Sequence, residues 1–267
     1  MRHVLWIGGP PGSGKTAVAT RLARRHGVRL YSADTRTWAH RDRALAAGTP
    51  AAARWESLSP VQRWERSTPA EMLEMSLHHE RGQMVVDDVG ALPTAPLVLA
   101  EGSTVPTWVV ASGVAAASHV VWLVPTAAFQ ERQLVARATA GGTAALYRIL
   151  SEVIERDARE HDLPTLGVDG SRGIAEMVDA VEERFGGLLR AGPVATTLAE
   201  RRGLLREINE AILMQVRGYH ARPWAEGDPQ AVARTFACEC GDRQCLSEPH
   251  LTVGEASAAP VLAPGHG

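Results

Sequence analysis

Residues 9–16 of the chain have the sequence GPPGSGKT, with an apolar run at residues 3–8 before them and a helical pattern after them. This is the pattern G-x-x-x-x-G-K-[ST] in the context of strand, turn and helix that it requires. Its glycines let backbone N–H groups surround phosphate oxygens, its lysine reaches the β- and γ-phosphates, and its threonine hydroxyl binds Mg²⁺. The stretch predicts that ATP or GTP binds to Gly9, Pro10, Pro11, Gly12, Ser13, Gly14, Lys15 and Thr16.

The charge of the chain is almost balanced. Its 267 residues include 28 Lys and Arg against 30 Asp and Glu, which gives a formal net charge of −2. A dedicated nucleic-acid binder needs a basic excess, so we expect no nucleic-acid partner. Lys15 is the single lysine of the chain. This fits a position where a compact ammonium group must reach phosphate oxygens inside a backbone loop.

Membrane association is not expected either. No uncharged apolar run approaches the ~18 to 20 residues that span a bilayer. Residues 1–14 have the pattern of a strand and a turn, and not that of a signal peptide. All three cysteines lie between Cys238 and Cys245, which favours a local metal site over a disulfide framework. We therefore expect a cytoplasmic protein.

Five apolar runs alternate with helical patterns in the first 187 residues. They are residues 3–8, 28–33, 96–102, 119–124 and 165–169. Buried strands that alternate with helices predict an α/β fold, here a three-layer P-loop NTPase fold with a five-stranded parallel sheet. A further apolar run, at residues 84–89, fits a strand or the last turns of a helix equally well.

The helical pattern after the last of these strands ends at Gly186 and Gly187, which predicts a domain boundary. We expect one domain at residues 1–187, a linker at 188–196, and a small helical, Cys-rich appendage at 197–267. A capping box at Thr197 begins the helix of the appendage. Its apolar stripe has a spacing of four and consists of Leu204, Ile208, Ile212 and Val216.

Carboxylates follow two of the predicted strands, at the edge of the sheet where ligands bind. Asp34 follows the second strand, where it can accept a proton from a substrate hydroxyl or cap the next helix. Glu101 ends the third strand, where it can bind Mg²⁺ through water. Asp87 and Asp88 are the alternative for the metal, if residues 84–89 form a strand. We favour Glu101 because its strand is the clearer prediction.

Polar residues beyond the second and fifth strands are candidates for ligand contacts. Arg36 and His40 can hold an anionic or polar substrate, or they can form a solvated helix face. Asp169 and Ser171 lie where a loop would bind the nucleotide base. The alternative is a simple turn in which Ser171 caps the next helix.

Two arginines follow the fourth strand. Arg132 and Arg137 precede Gly141 and Gly142, an arrangement that suits a short lid at about residues 137–145. Such a lid excludes water and neutralises the transferring phosphoryl group. An exposed helix face that carries the two arginines is the alternative.

The C-terminal segment offers ligands for Zn²⁺. Cys238, Cys240 and Cys245 provide three thiols, and His250 or His266 can complete a tetrahedral Cys₃His site of structural type. Free buried cysteines are the alternative. The segment also resembles a short module at the ends of some actinobacterial proteins, which has Cys-Glu-Cys-Gly-Asp and a terminal Pro-Gly-His. That resemblance favours His266 over His250.

The first 187 residues resemble the nucleoside-monophosphate-kinase-like group of P-loop kinases, which includes shikimate kinase, chloramphenicol phosphotransferase and the zeta-toxin kinases. The resemblance rests on the phosphate loop, Asp34 after the second strand, the strand end at residues 99–102, the strand at 122–126 with the arginines after it, and residues 168–171. In such kinases the segment between the second and third strands binds the phosphoryl acceptor. The resemblance implies this role for the helical residues 35–95.

We therefore expect an ATP- and Mg²⁺-dependent kinase for a small-molecule hydroxyl or phosphate acceptor. Its catalytic residues would be Lys15, Asp34, Glu101, Arg132 and Arg137. A regulatory or partner-binding P-loop protein with weak NTPase activity is the alternative, because the phosphate loop alone does not determine what happens to the γ-phosphate. A nucleic-acid 5′-hydroxyl kinase suits the fold but not the charge balance.

Overall fold

Five parallel strands form the central sheet of the protein, whose computed structural model describes residues 1–266. The strands are β1 (Val4–Gly8), β2 (Arg29–Ser32), β3 (Val98–Gly102), β4 (Val120–Pro125) and β5 (Thr165–Val168). Their order across the sheet is β2-β3-β1-β4-β5, and each neighbouring pair is parallel. The predicted α/β fold with a five-stranded parallel sheet is confirmed.

Helices connect the strands and cover both faces of the sheet. In chain order they are α1 (Lys15–His26), α2 (Thr37–Ala46), α3 (Pro50–Ser57), α4 (Pro69–Met75), α5 (His78–Gly90), α6 (Ala127–Ala136), α7 (Gly141–Glu160), α8 (Ile174–Ala191), α9 (Leu198–His220) and α10 (Val253–Ala258). A small antiparallel sheet pairs β6 (Ala233–Thr235) with β7 (His250–Thr252). Among the described helices, none is long and apolar enough to cross a membrane.

Alternate side chains of β1 point to opposite faces of the sheet, as the period of a strand requires. Val4 and Trp6 belong to a core that includes side chains of α5 and α7, whereas Leu5 and Ile7 belong to a core with α1 and α8. All of these β1 side chains are fully buried. The sheet is thus the middle of three layers.

Residues 84–89 lie in α5 and do not form a strand. Val85, Val86 and Val89 are buried in the core beside the sheet, while Asp87 is exposed. This spacing fits a helix, since neighbouring residues of a strand alternate between faces. The chain between β2 and β3 is mainly helical and includes a π-helical turn at Gln62–Arg66.

The prediction that the helix after β5 stops at Gly186 and Gly187 was wrong, because α8 continues to Ala191. Val181, Phe185 and Leu189 are all buried in the same core, so the apolar face of the helix extends past both glycines. Each glycine in a helix interior costs about 1 kcal/mol relative to alanine. Burial of one leucine side chain contributes roughly 1.5–3 kcal/mol, which is enough to offset that cost.

Helix α9, expected to belong to a separate appendage, lies against edge strand β2 and helix α2. Arg29 of β2 donates to Glu207 of α9 at 2.8 Å. Arg222, just beyond α9, donates to the backbone oxygen of Trp38 in α2 at 3.1 Å. The predicted capping box at Thr197 is present at the start of the helix. The C-terminal region therefore shares an interface with the central sheet and the helices that follow β2.

We expect Gly187→Ala to raise the free energy of unfolding by roughly 0.5–1 kcal/mol, because Gly187 is an exposed residue inside a helix. A Cβ atom at this position would have no neighbour within 4 Å. Urea-induced unfolding measures the difference. As a control, Gly102→Ala should destabilise the protein, because φ there is +150° and the new Cβ would lie 2.6 Å from the Cβ of Ala33. A loss of stability in Gly187→Ala would contradict a continuous α8.

Candidate functional site

The phosphate loop connects β1, the central strand, to α1. Gly9 has a φ of 142°, and a Cβ atom there would lie 2.4 Å from the backbone oxygen of Leu123, so the loop requires glycine at this point. Ser13 has a buried hydroxyl that makes no hydrogen bond within residues 1–266. A buried hydroxyl without a partner is expected where a phosphate oxygen binds, so the loop fits the predicted nucleotide.

Lys15, Asp34 and Glu101 come together beside this loop. Lys15 Nζ lies 3.2 Å from Asp34 Oδ2, and the lysine side chain is only 6% exposed. Thr16 donates its hydroxyl to Glu101 Oε2 at 3.1 Å, and Ser32 donates to Glu101 Oε1. Since β3 lies between β1 and β2, the carboxyl ends of these three strands bring the loop and both carboxylates to one edge of the sheet.

Lys15, Asp34 and Glu101 shift one another's pKa values. Burial alone would lower the pKa of Lys15, but the charges of Asp34 and Glu101 raise it above its usual value. Burial alone would raise the pKa of Asp34, but Lys15 and Arg81 hold it below its usual value. Burial raises the pKa of Glu101 to about 7, with the charge of Lys15 opposing this shift in part. At neutral pH the ion pair is therefore Lys15 with Asp34.

A cavity of about 470 Å³ begins at the phosphate loop. The Asp34 side chain, 37% exposed, lies on its wall and is held in place by Ser103, whose hydroxyl and N–H both donate to Oδ1. The other side chains of the wall come from the helices after β2, from α7 and from α9, and they include Trp38, Arg41, Trp55, Trp64, Arg81, Tyr147 and Gln215. Asp34 thus faces both the phosphate loop and the part of the cavity that the helices line.

The structure does not place His40 at this cavity. His40 is fully buried; its Nδ1 accepts a hydrogen bond from Arg81 Nε at 3.3 Å, and its Nε2 lies 2.9 Å from Asp88 Oδ2. Arg81 also donates to the backbone oxygen of Ala33 at 2.7 Å and reaches the cavity wall. His40 therefore positions Arg81, and the expectation that its ring touches a substrate is corrected.

Asp87 and Asp88, the alternative ligands for Mg²⁺, lie in α5 and pair with other side chains. Asp88 accepts from Tyr31 at 2.8 Å and forms an ion pair with Arg43 at 2.6 Å. Asp87 is exposed and lies 3.5 Å from the same arginine. Of the two candidate sets, only Glu101 adjoins Thr16 of the phosphate loop.

The remaining predicted site residues have different surroundings. Arg36 lies over the ring of Tyr31, 5.8 Å from its centre, and is not part of the cavity wall. Arg137, at the end of α6, is exposed and lines the cavity. Arg132 instead donates to the backbone oxygen of Asp169 at 2.7 Å. This contact ties α6 to the loop after β5.

Asp169 and Ser171 form a local turn in that loop. Asp169 Oδ1 accepts hydrogen bonds from the N–H and the hydroxyl of Ser171, at 2.8 and 2.6 Å. The turn is exposed. Its predicted role in binding the nucleotide base stays a prediction.

Sequence reasoning missed most of the cavity wall. Trp38, Trp55 and Trp64 all lie between β2 and β3, in a chain with seven tryptophans. This accumulation of tryptophan is visible in the sequence and could have indicated an aromatic wall. Arg41 and Arg81 give no such signal, because arginine is frequent throughout the chain. Which arginines turn inward depends on how the helices pack.

The C-terminal cluster consists of Cys238, Cys240, Cys245 and His266, whose ligand atoms all lie within 4.8 Å of one another. His266 Nδ1 is 3.4 Å from the sulfur of Cys238 and 3.6 Å from that of Cys245. His250 is exposed on β7 and lies near Thr235 instead. Of the two histidines, the structure therefore groups His266 with the thiols.

The cluster lies against the phosphate-loop helix. Arg24 in α1 is buried; it donates to the backbone oxygens of Cys238 and Asp242 at 2.6 and 3.4 Å, and its Nη1 is 3.9 Å from the sulfur of Cys240. One arginine thus joins α1 to the cysteine loop.

No family model matches the chain, and no curated protein matches it in sequence. Among solved structures, one similar chain is shikimate kinase from Acinetobacter baumannii in complex with shikimate, at 17% sequence identity and a TM-score of 0.42. The match covers 69% of this chain and 93% of that chain.

The raised pKa of Glu101 predicts a pH dependence of stability in the nucleotide-free protein. Its carboxyl group is protonated up to about pH 7 in the folded state but only to about pH 4.3 in the unfolded state. The folded state therefore binds more protons between these values, and the contribution of Glu101 to stability falls as the pH rises through this window. About one pH unit above 7 the penalty is nearly complete and is on the order of 3–4 kcal/mol.

We expect Glu101→Gln to raise the melting temperature at pH 8 and to change it much less at pH 4.5. Calorimetry over this range measures the effect, with Glu183→Gln on the exposed side of α8 as the matched control. Equal shifts at both pH values would show that the folded-state pKa of Glu101 is not raised.

Proposed function

We propose that the protein is an ATP-dependent kinase that transfers the γ-phosphoryl group to a hydroxyl or phosphate group of a small molecule. The observation that carries this proposal is the position of Asp34. Its carboxylate pairs with the phosphate-loop lysine at 3.2 Å and is also exposed to a cavity of about 470 Å³. The cavity is lined by the phosphate loop and also by helices that follow β2, so it continues past the loop to a space where an acceptor molecule can lie next to Asp34.

Each residue near the loop has a role that its chemistry supports. The loop amides and Lys15 would hold the β- and γ-phosphates, and Thr16 and Glu101 offer the oxygen ligands that Mg²⁺ prefers. When bound, Mg²⁺ neutralises charge on the phosphates. Asp34 takes the proton of the acceptor hydroxyl as its oxygen forms the new bond to phosphorus and the bond to ADP breaks.

Arginines complete this arrangement. Arg137 lines the cavity beside the loop and has an exposed side chain, so it can reach the transferring group. Arg132 is held by the backbone of Asp169. Its contribution to the lid would require this contact to break. We therefore assign the larger share of charge stabilisation to Arg137.

The test is a screen of hydroxyl and phosphate compounds with [γ-³²P]ATP, in which Lys15→Ala serves as the blank. We expect label transfer in the wild type and a loss of about 10²–10⁴-fold in kcat for Asp34→Asn, which is the usual contribution of a general base. Asp87→Asn makes the same change on an exposed helix position and should have little effect. ATP hydrolysis without transfer to any compound would favour the regulatory alternative, and full activity in Asp34→Asn would refute the base assignment.

We further propose that the C-terminal cluster binds a structural Zn²⁺ ion. Three thiols and one imidazole form a complete tetrahedral set with no open position for a substrate. The described geometry fits, because a sulfur ~2.3 Å and an imidazole nitrogen ~2.0 Å from zinc are about 3.5 Å apart in a tetrahedron, and His266 Nδ1 lies 3.4 and 3.6 Å from the sulfurs of Cys238 and Cys245. The ion would stabilise the loop that Arg24 joins to α1.

We expect the purified protein to contain about one zinc ion per chain. His266→Ala should lower the zinc content and the melting temperature, whereas His250→Ala should preserve both. Plasma mass spectrometry and thermal denaturation, with and without chelator, measure these quantities. The opposite pattern for the two histidines would assign the fourth ligand to His250.

A further inference from the structure

Gln215, in α9, reaches the cavity beside the phosphate loop from the C-terminal region. It lines the cavity, and its Nε2 donates to the backbone oxygen of Asp34 at 3.0 Å. The amide nitrogen must be the atom that faces Asp34, because a backbone oxygen only accepts hydrogen bonds. The two residues are 181 positions apart in the sequence. This contact therefore forms only when the C-terminal region packs against the domain that carries the phosphate loop.

The same region also holds the chain that follows Asp34. Arg222, just beyond α9, donates to the backbone oxygen of Trp38 at 3.1 Å and forms an ion pair with Asp42 at 2.7 Å. A Cβ atom at Gly218 would lie 2.9 Å from the Cβ of Trp38, so α9 approaches α2 very closely. The backbone is thus held by C-terminal residues both at Asp34 and one turn later.

Helix α9 is itself fixed by the cysteine loop. Asn209 is fully buried; its Nδ2 donates to the backbone oxygen of Ala237 at 2.9 Å, and its Oδ1 accepts from the N–H of Ala237 at 2.8 Å. Ala237 directly precedes the cysteine cluster. The cluster is also joined by Arg24 to α1, which begins at Lys15. The C-terminal region therefore contacts both parts of the chain that carry the ion pair beside the phosphate loop.

The position of Asp34 depends on such contacts. Asp34 lies beyond the end of β2, in a 3₁₀ turn at Ala33–Arg36, so the hydrogen bonds of the sheet do not hold it. Ser103 fixes its carboxylate, whereas Thr37 and Gln215 donate to its backbone oxygen. A general base must lie within hydrogen-bond reach of the proton that it removes. A misplacement of about 1 Å can cost on the order of 10²-fold in rate.

We propose that Gln215 is a positioning residue for Asp34, and that the C-terminal region is therefore a part of the phosphoryl-transfer site and not a separate appendage. The hydrogen bond from Nε2 holds the backbone of Asp34, so the carboxylate faces both Lys15 and the cavity in one orientation. The role of Gln215 in transfer rests on the proposed kinase function. Its support of the Lys15–Asp34 ion pair does not depend on any reaction.

Two substitutions of Gln215 remove the hydrogen bond in different ways. Gln215→Glu keeps the size and shape of the side chain and removes only the donor, because an ionised carboxylate donates no hydrogen bond. Gln215→Met removes the donor without adding a charge. Met214→Glu adds the same charge at the neighbouring position of α9, which is 48% exposed, and is the matched control. We expect the melting temperatures of all three variants to stay within about 4 °C of the wild type.

The first measurement uses Lys15, the only lysine of the chain, and requires no acceptor. The full-length protein is treated with N-hydroxysuccinimidyl acetate in the absence of nucleotide, and mass spectrometry of its peptides separates Lys15 from the α-amino group. The lysine side chain is 6% exposed and pairs with Asp34, so its acetylation requires the pair to open. We expect both Gln215 variants to raise the acetylation rate about 3- to 10-fold, as the loss of one hydrogen bond predicts. Met214→Glu should leave the rate unchanged.

The second measurement is phosphoryl transfer to the acceptor that the screen with labelled ATP identifies. We expect both Gln215 variants to lower kcat about 10-fold, with the KM for ATP and for the acceptor unchanged within about twofold, because Gln215 acts through Asp34. For the same reason, the double variant Asp34→Asn with Gln215→Met should lose no more activity than Asp34→Asn alone.

Three results would overturn the inference. They are an unchanged acetylation rate of Lys15 in both Gln215 variants, a raised KM for the acceptor with unchanged kcat, which would make Gln215 a substrate contact, and an additive loss in the double variant. Faster acetylation of Lys15 in a protein that phosphorylates nothing would refute the kinase and leave the support of the ion pair by Gln215 established. Full transfer activity in both Gln215 variants would refute the positioning role and leave the kinase established.

Discussion

The ammonium group of Lys15 is the charge on which the site depends. It is almost fully buried, and it can remain charged there because Asp34 and Glu101 lie next to it. The same cation lies next to two carboxylates whose pKa values shift in opposite directions. The pKa of Asp34 is lowered, so Asp34 stays ionised, whereas the pKa of Glu101 is raised to about 7, so Glu101 is only partly ionised at neutral pH. Any anion that draws Lys15 away from Asp34 raises the pKa of this carboxylate, because Lys15 is the strongest of the charges that keep it low. A phosphate at the loop would have this effect and would make Asp34 a better base.

This arrangement requires three separate parts of the chain to meet at one edge of the sheet. The strand order β2-β3-β1 provides that meeting, because it places the end of β3 between the end of β2 and the phosphate loop. These features were predictable. The loop has a specific local pattern, the strands are apolar runs, and the rule that ligands bind at the carboxyl ends of parallel strands relates Asp34 and Glu101 to the loop. No knowledge of helix packing is needed for any of them.

Features that depend on which face of a helix turns inward were not predictable in the same way. His40 was a reasonable candidate for substrate contact because it closely follows Asp34, yet the packing of α2 on α5 buries it beside Asp88. The two glycines of α8 are an ordinary stop signal, but the buried face of the helix continues to Leu189. Arg41 differs from other arginines of the chain only in its surroundings, and a sequence does not show those surroundings.

The C-terminal region also shows that a sequence pattern does not tell which other parts of the chain a helix contacts. A stripe with a spacing of four suggested a helix with its own small core, and part of α9 does pack in this way, where Leu213 and Val216 meet Phe236. The same helix also faces the cavity, because Gln215 lines it and donates to the backbone oxygen of Asp34 at 3.0 Å. A residue far along the chain thus supports the backbone that carries the proposed base.

The near absence of lysine from this chain affects the cavity as well as the phosphate loop. A buried lysine can lose its proton, and its charge then depends on pH and on its neighbours, whereas arginine remains charged in almost every protein environment. Arg41 and Arg81 therefore remain cationic on the cavity wall, and Arg81 lies close enough to Asp34 to help lower the pKa of that carboxylate. With a pKa of about 10, Arg41 keeps its charge through pH 7, where Glu101 changes its protonation.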